Sequence, residues 1–287
     1  MIVLYVATRN EAELLRLNLA HHLAWGFDHV AVADNESTDA TQDVLREFDG
    51  AVTATTIREP TDRFAVLPGL LARIEARFGA VAWLAVSDTD EFWWAPEADL
   101  RDLLARMPAE FVAINSDQKF FLNTELDPPD GPVYCRRTFR TTSAESPLHT
   151  SYSKGKTFYR GAWAREYGVI GPHWSENIPH PFRRLRRALV HHYMIDGEDS
   201  FVEKVKALER WNPLLRGQSE SMDAVKVRDF KKEWWRVYET EGEAALRDYY
   251  RERYLVSASS LPGHIERREL VEDREFADFM QSGKDAG

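Results

Sequence analysis

Residues 84–92 read LAVSDTDEF, and this segment carries the strongest indication of both the fold and the site. An apolar run of strand length ends in Asp88, Asp90 and Glu91, so three acidic groups follow a strand that we expect to be central. Burying unpaired carboxylates is costly in free energy, and a divalent cation bound by carboxylate oxygens removes that cost. The Asp-x-Asp (DxD) pair therefore predicts a metal site. The alternative is that these acids cap a helix beginning near Ala98, or stay solvated.

The sequence around this segment alternates apolar runs with amphipathic runs over its first 115 residues. This alternation indicates βαβ units, and we predict an α/β fold with a Rossmann-type, mostly parallel sheet flanked by helices. The predicted strands cover residues 2–7, 29–33, 51–57, 80–86 and 111–115.

Four helices are predicted from the spacing of apolar residues. Leu15, Leu19 and Leu23 recur every four residues and mark the first helix, whose first turn Asn10 and Glu13 could cap. Apolar residues at helical spacing mark the other three helices, at residues 44–48, 70–78 and 100–104.

The second half of the chain gives weaker patterns. Residues 116–181 are rich in Pro, Gly, Ser, Thr and aromatic residues, which indicates either long functional loops or strands that periodicity cannot place. A late strand is predicted at 188–193, and helices at 200–211, 222–240 and 243–254. We therefore predict two regions, a sheet-containing domain at 1–198 and a helical region at 199–287.

Composition excludes some classes of function. The chain has 37 Lys and Arg residues against 47 Asp and Glu residues, a formal net charge of −10, which argues against a nucleic-acid partner. Cys135 is the single cysteine, so no internal disulfide can form. No segment has about 18 consecutive apolar residues, so we expect no membrane span and a cytoplasmic protein.

Polar residues also follow the first two strands, TRNE at 8–11 and DNESTD at 34–39. Ligands of parallel sheets bind beyond the carboxyl ends of the strands, so three strand ends should converge on one rim. In order and spacing, residues 6–11, 33–41 and 88–92 resemble the family 2-type glycosyltransferases of GT-A fold. This resemblance extends over residues 1–120.

The resemblance implies nucleotide-sugar binding and catalysis in region 1–198. It implies a nucleotide-diphosphate sugar donor, usually a UDP-sugar, a Mn or Mg ion, inversion at the anomeric carbon, and a saccharide or other hydroxyl acceptor. Carried onto this sequence, it implies that Thr8 and Glu11 line the nucleoside pocket and that Asp34 accepts a hydrogen bond from the base or ribose. Asp34 could instead serve only to organise its own loop.

The same resemblance implies that Asp88 lies near the ribose or the metal and that Asp90 binds the metal, which offsets charge on the departing nucleotide diphosphate. Arg9, Asn10 and Lys156 are further candidates for donor binding. Arg9 would meet phosphate, or would be a surface residue.

Residues 156–160, 171–173 and 192–204 further resemble a branch related to eukaryotic family 92 enzymes. The resemblance to GT-A enzymes also implies a metal ligand from a distant histidine, and His173, after Gly171 and Pro172, is our candidate; it could instead be a surface or loop-packing residue. The pair His191 and His192 offers an alternative ligand, and only one of the two could serve because consecutive strand residues point to opposite faces.

The acidic residue that the family places before a helix is not evident. Glu176, within the segment WSEN, is our candidate for the general base, with Glu91 and Asp196 as alternatives. The arginine-rich run at 183–187 either recognises an anionic group or forms a solvated face, and Trp174 could stack on a sugar ring.

Two other functions fit part of the pattern. A haloacid-dehalogenase-like phosphohydrolase also has an Asp-x-Asp pair behind an apolar strand, but it needs small residues where this chain has EFW at 91–93. A sugar-binding module without catalysis would keep the same fold, although the intact Asp88 and Asp90 argue against such a loss.

Overall fold

The computed structural model describes residues 1–58, 64–96, 99–143, 146–148, 155–167, 182–211 and 229–282. Its strands are β1 (Ile2–Thr8), β2 (His29–Asp34), β3 (Val52–Thr56), β4 (Trp83–Asp88), β5 (Glu91–Trp94), β6 (Ala113–Phe120), β7 (Asn123–Thr124), β8 (Phe139–Thr141), β9 (Lys156–Arg160), β10 (Phe182–His192), β11 (Leu255–Val256) and β12 (Leu270–Glu272). Its α-helices are α1 (Ala12–Trp25), α2 (Thr41–Glu47), α3 (Leu67–Phe78), α4 (Leu100–Ala105), α5 (Val133–Arg136), α6 (Gly161–Tyr167), α7 (Gly197–Ala207), α8 (Asp229–Arg253), α9 (Leu261–Glu266) and α10 (Glu275–Gln281).

Eight strands form the main sheet, in the order β3-β2-β1-β4-β9-β6-β10-β5. β1 pairs in parallel with β2 and β4, β2 with β3, and β6 with β10. β9 runs antiparallel to both β4 and β6, and β5 runs antiparallel to β10. The predicted α/β fold, a mostly parallel sheet flanked by helices, is confirmed.

The apolar spacing of the sequence accounts for the layer of helices on one face of the sheet. Leu70 and Ile74 of α3 lie one turn apart and are buried in one core cluster with Val3 and Tyr5 of β1. Trp163 of α6 joins the same cluster. The intervening residues of β1 are buried as well, so the sheet is covered on both faces, as parallel sheets require.

The start of α1 differs from the prediction. Asn10 has a positive φ of 51°, and its Oδ1 accepts a hydrogen bond from the amide of Thr38 at 2.7 Å. The first-turn amide of Ala12 donates to Asp39 Oδ2 at 3.0 Å. The predicted cap by Asn10 and Glu13 is therefore wrong, because the capping carboxylate comes from the loop after β2, which local spacing cannot indicate.

The stretch without periodicity contains strands that the sequence did not place. β9 lies between β4 and β6, and β10 begins at Phe182, several residues before the predicted late strand. Within α8 the helix is interrupted at Gly242, whose φ is 86°, between the two helices that we predicted to meet there.

The chain divides into two compact units. The first comprises Met1–Phe120, Ser151–His192 and Arg274–Gly287, and contains the main sheet; the second comprises Phe121–Thr150 and Tyr193–Asp273. The second unit holds an aromatic cluster in which Trp234 Nε1 donates to the Tyr254 hydroxyl at 2.7 Å. The division at residue 198 stays a prediction. None of the helices among the described residues has the length and apolarity to cross a membrane.

Candidate functional site

The carboxyl ends of three adjacent strands lie side by side, as expected from their polar termini. Thr8 ends β1 and pairs in register with Asp34, which ends β2. On the other side of β1, Ala7 pairs with Asp88, which ends β4. The structure therefore brings Thr8, Asp34 and Asp88 to one edge of the sheet.

Asp34 is buried and organises the loop that follows β2. Its carboxylate accepts a hydrogen bond from the amide of Ser37 at 3.2 Å and one from Gln42 Nε2 at 2.6 Å. The hydroxyl of Ser37 also donates to it. The loop-organising role that we considered for Asp34 is thus observed. A role in nucleotide binding would come in addition to these contacts.

Residues 9–11 link the loop after β1 to the loop after β2. The guanidinium of Arg9 donates to the carbonyl oxygens of Asn35 and Glu36. Asn10 accepts from Thr38, as described above, and Glu11 occupies the N-cap position of α1. These contacts fix the two loops that border the strand ends.

Lys156 is fully buried beside the acidic segment. Because β9 lies next to β4, the Lys156 ammonium lies 2.7 Å from Glu91 Oε1 and 3.3 Å from Asp88 Oδ2. Burial lowers the pKa of Lys156, but the carboxylates of Glu91 and Asp88 outweigh burial and raise this pKa above its usual value. Both carboxylates therefore favour the charged form of Lys156 at the base of the site.

Glu91 has 1% of its side chain exposed and anchors this cluster. Besides Lys156, its carboxylate accepts hydrogen bonds from the amide of Asp88 at 2.9 Å, the Ser87 hydroxyl at 3.0 Å and Gln118 Nε2 at 3.1 Å. Burial raises the pKa of Glu91, and the charge of Lys156 opposes this effect. The supporting roles of Ser87 and Gln118 were not predicted from the sequence, since only the pairing of the strands brings Gln118 to Glu91.

His192 extends the site from β10. It pairs in register with Glu91 of β5, and its Nε2 lies 3.5 Å from Asp90 Oδ1 and 4.0 Å from Glu91 Oε1. Gln118 Nε2 lies 2.8 Å from His192 Nδ1. Side chains alternate between the two faces of a strand, so His191 points away from the acidic residues, and its ring packs on Phe276 with a centroid distance of 4.8 Å.

Asp90, Glu91 and His192 form a set of potential metal ligands. One donor atom from each residue lies within 4.8 Å of the other two. Carboxylate oxygen and imidazole nitrogen are ligands that suit Mn²⁺ and similar ions. The residues present therefore fit a divalent cation. Asp88 is more open, with 40% of its side chain exposed.

Three of the other candidates, His173, Trp174 and Glu176, lie outside the described residues. The arginine-rich run 183–187 lies in β10. Asp196, our alternative base in the second unit, accepts hydrogen bonds from Arg136 and Arg137 at 2.6 and 2.7 Å. Its Oδ1 is thus engaged in ion pairs.

No protein-family model and no curated protein matches this sequence. Several solved structures are similar to the chain. Mannosyltransferase PcManGT from Pyrobaculum calidifontis, in complex with GDP-Man and Mn²⁺, is 13% identical, with 87% of this chain and 86% of that chain covered and a TM-score of 0.43.

Two further structures show a comparable likeness. TarS 1-349 from S. aureus, in complex with UDP-GlcNAc, is 12% identical over 83% of this chain and 73% of that chain, with a TM-score of 0.41. Rv0371c from Mycobacterium tuberculosis H37Rv, in complex with manganese, is 14% identical over 70% of this chain and 96% of that chain, with a TM-score of 0.39. With such low identities and TM-scores, these matches assign no activity to this chain.

Proposed function

We propose that this protein is a glycosyltransferase that moves a sugar from a nucleotide-diphosphate sugar to an acceptor hydroxyl with the help of a divalent cation. The observation that carries the proposal is the position of His192 Nε2, 3.5 Å from Asp90 Oδ1, beside the carboxyl ends of β1, β2 and β4. Parallel sheets bind their ligands at this edge, and a diphosphate next to carboxylates requires a cation between them.

Asp90 and His192 would hold the cation, with Asp88 next to them. When bound, the cation would supply charge stabilisation for the nucleotide diphosphate that leaves. The Lys156 ammonium is held by Glu91 and Asp88, and both carboxylate oxygens of Glu91 are engaged by protein groups, so we assign both residues to positioning. From the sequence we expected Lys156 to contact the donor and Glu91 to take part in catalysis. We now propose a positioning role for each of them instead.

The strand-end residues would bind the nucleotide. We assign Thr8, Glu11 and Asp34 to the nucleoside, Arg9 to phosphate, and Asn10 to the loop that carries them. Asp34 is rigidly held by Ser37 and Gln42, which suits a residue that orients a base or ribose. The resemblance in sequence favours a UDP-sugar.

Our proposals for the acceptor side of the reaction rest on the sequence pattern. We propose Glu176 as the general base and inversion at the anomeric carbon as the outcome. His173 remains a proposed third ligand. Glu176→Gln should abolish transfer while leaving nucleotide affinity unchanged, since a base acts on the acceptor and not on the donor. The anomeric configuration of the product, read by ¹H NMR, tests inversion.

A thermal-shift panel tests the proposed function. Protein stripped with EDTA is mixed with UDP, GDP and their sugars, each with and without Mn²⁺ or Mg²⁺. We expect stabilisation by a nucleotide only when the cation is present, amounting to about 2.7 kcal/mol at a ligand concentration of 100 Kd. Stabilisation by free sugars alone would favour the binding module, and release of inorganic phosphate from phosphomonoesters would favour the phosphohydrolase.

A further inference from the structure

Three polar side chains of α1 lie on its buried face, where the spacing of the helix calls for apolar residues. Asn18, His21 and His22 are all at most 1% exposed. They face β5, the strand that carries Glu91 and stands at the end of the main sheet. Among the described strands β5 pairs only with β10, so its other edge presents backbone groups that need partners.

Asn18 binds the backbone on both sides of Asp90. Its Nδ2 donates to the carbonyl oxygen of Thr89 at 2.9 Å and to that of Glu91 at 2.9 Å. Carbonyl oxygens only accept hydrogen bonds, so these two contacts also settle which end of the Asn18 amide is the nitrogen. One side chain therefore spans the residue that we assign to the cation.

His22 fixes the orientation of Asn18. The amide of Trp93 donates to His22 Nε2 at 3.0 Å, so that nitrogen is the acceptor and the ring proton sits on Nδ1. Nδ1 lies 3.0 Å from Asn18 Oδ1 and 2.8 Å from Asn18 O, and it donates to them. A continuous series of hydrogen bonds thus runs from Trp93 through His22 and Asn18 to Thr89 and Glu91.

His21 completes the hold on β5. Its Nε2 lies 2.7 Å from the carbonyl oxygen of Trp93. The backbone amide and the backbone carbonyl of Trp93 are therefore both hydrogen-bonded to histidines of α1. The acidic turn is therefore attached to α1 as well as to the sheet.

We propose that Asn18, oriented by His22, is a positioning residue that sets the direction of the Asp90 carboxylate and thereby the affinity of the site for a divalent cation. This inference rests on the proposed function, because it takes Asp90 to be a metal ligand. With the carbonyls before and after Asp90 held, the carboxylate has little freedom beyond its own side-chain torsions. Residues that orient metal ligands typically contribute about 10- to 100-fold to metal affinity.

The experiment measures Mn²⁺ affinity by isothermal titration calorimetry on the full chain. Asn18→Leu removes both donated hydrogen bonds at similar volume. The matched control is Asn123→Leu in the second unit, where a buried asparagine also bridges backbone groups, donating to Ile195 O at 3.3 Å and accepting from Gly197 N at 3.1 Å. We expect the Kd for Mn²⁺ to rise at least about tenfold in Asn18→Leu and to stay within about twofold of native in Asn123→Leu.

A milder variant and the native protein guard against loss of folding. Asn18→Ser keeps one donor, and we expect its Kd to lie between those of native protein and Asn18→Leu. In native protein, NMR should show slowly exchanging Asn18 side-chain amide protons whose shifts change on adding Mg²⁺. Native Mn²⁺ affinity in both Asn18 variants, or shifts unaffected by Mg²⁺, would overturn the positioning role. Native protein that binds neither cation would overturn the proposed function together with this inference.

Discussion

At the scale of single residues, two adjacent histidines make a direct test of the proposed site. His192 faces Asp90, whereas His191 packs on Phe276 and Trp94. We expect His192→Phe to weaken Mn²⁺ binding by at least about tenfold, because it removes an imidazole ligand, and His191→Phe to leave it nearly unchanged. Electron paramagnetic resonance of free Mn²⁺ measures both. Equal affinities in the two variants would contradict the assignment of His192.

Lys156 allows a second test, this time of stability. Removing one partner of a buried ion pair leaves an uncompensated charge, so Lys156→Met should lower the free energy of unfolding by about 3–5 kcal/mol. The double variant Lys156→Met with Glu91→Leu should recover a large part of that loss, since no buried carboxylate of Glu91 then remains. Urea unfolding measures both values. A double variant less stable than Lys156→Met would contradict the coupling.

At the scale of elements, the close approach of α6 to the start of β4 is set by one glycine. A Cβ at Gly161 would overlap the carbonyl oxygen of Val81, whereas one at Gly69 in α3 would meet no atom within 4 Å apart from its chain neighbours and the backbone of its own helix. We expect Gly161→Ala to destabilise the protein by more than about 1 kcal/mol, because backbone must move. Gly69→Ala should be neutral or stabilising by up to about 1 kcal/mol, because it removes a glycine from a helix.

Thermal unfolding of the two glycine variants compares them under one condition. Each variant serves as the control for the other, since both change glycine to alanine within the first unit. Equal melting temperatures would show that the β9–α6 junction can adapt to a Cβ.

The elements also indicate why part of the fold could be predicted and part could not. β1 to β4 and the helices between them could be predicted because each is marked by its own local run or period of apolar residues, although β1 pairs with β4 about 80 positions later. β9 was not predicted because its residues, KTFYR, form no continuous apolar run; its place between β4 and β6 follows from pairing with distant residues, as for Thr157 with Asn115 and Tyr159 with Leu84. No local period reports such a pairing.

The site divides in the same way. Asp88, Asp90 and Glu91 lie within one short segment, residues 88–91, so their common location could be predicted. The sequence could not show which of His191 and His192 faces Asp90, because that depends on the register of β10 on β5. Asn18 and His22 were not predicted as supporting residues, because a buried helix face is expected to carry apolar residues. Their partners are also backbone groups, which are the same in every amino acid and leave no mark in the sequence.

At the scale of the whole molecule, buried histidines make stability depend on pH. Burial lowers the pKa of His21 from 6.5 to about 4, and that of His22 well below its usual value. Between pH 6.5 and 4 the unfolded chain therefore binds protons that the folded chain does not. Stability falls as the pH drops through this window, by about 1.4 kcal/mol per pH unit for each histidine once the unfolded chain is fully protonated.

Urea unfolding at pH 7, 6 and 5 measures this dependence. The comparison is with His21→Phe, which keeps an aromatic ring beside Trp25 and Phe276. We expect native protein to lose more stability than the variant on going from pH 7 to pH 5. Parallel losses in the two proteins would show that His21 is not the buried neutral group described above.

The central claim, a divalent cation held by Asp90 and shared with a nucleotide diphosphate, is tested most directly by calorimetry of UDP and GDP binding to EDTA-treated protein with and without Mn²⁺. The native protein is compared with Asp90→Asn and with Asp102→Asn, an exposed acid of α4. We expect at least one of the two nucleotides to bind native protein and Asp102→Asn only with Mn²⁺, and Asp90→Asn to lose this dependence together with most of its affinity. Equal nucleotide affinity with and without Mn²⁺ in native protein, or unchanged binding in Asp90→Asn, would contradict the account.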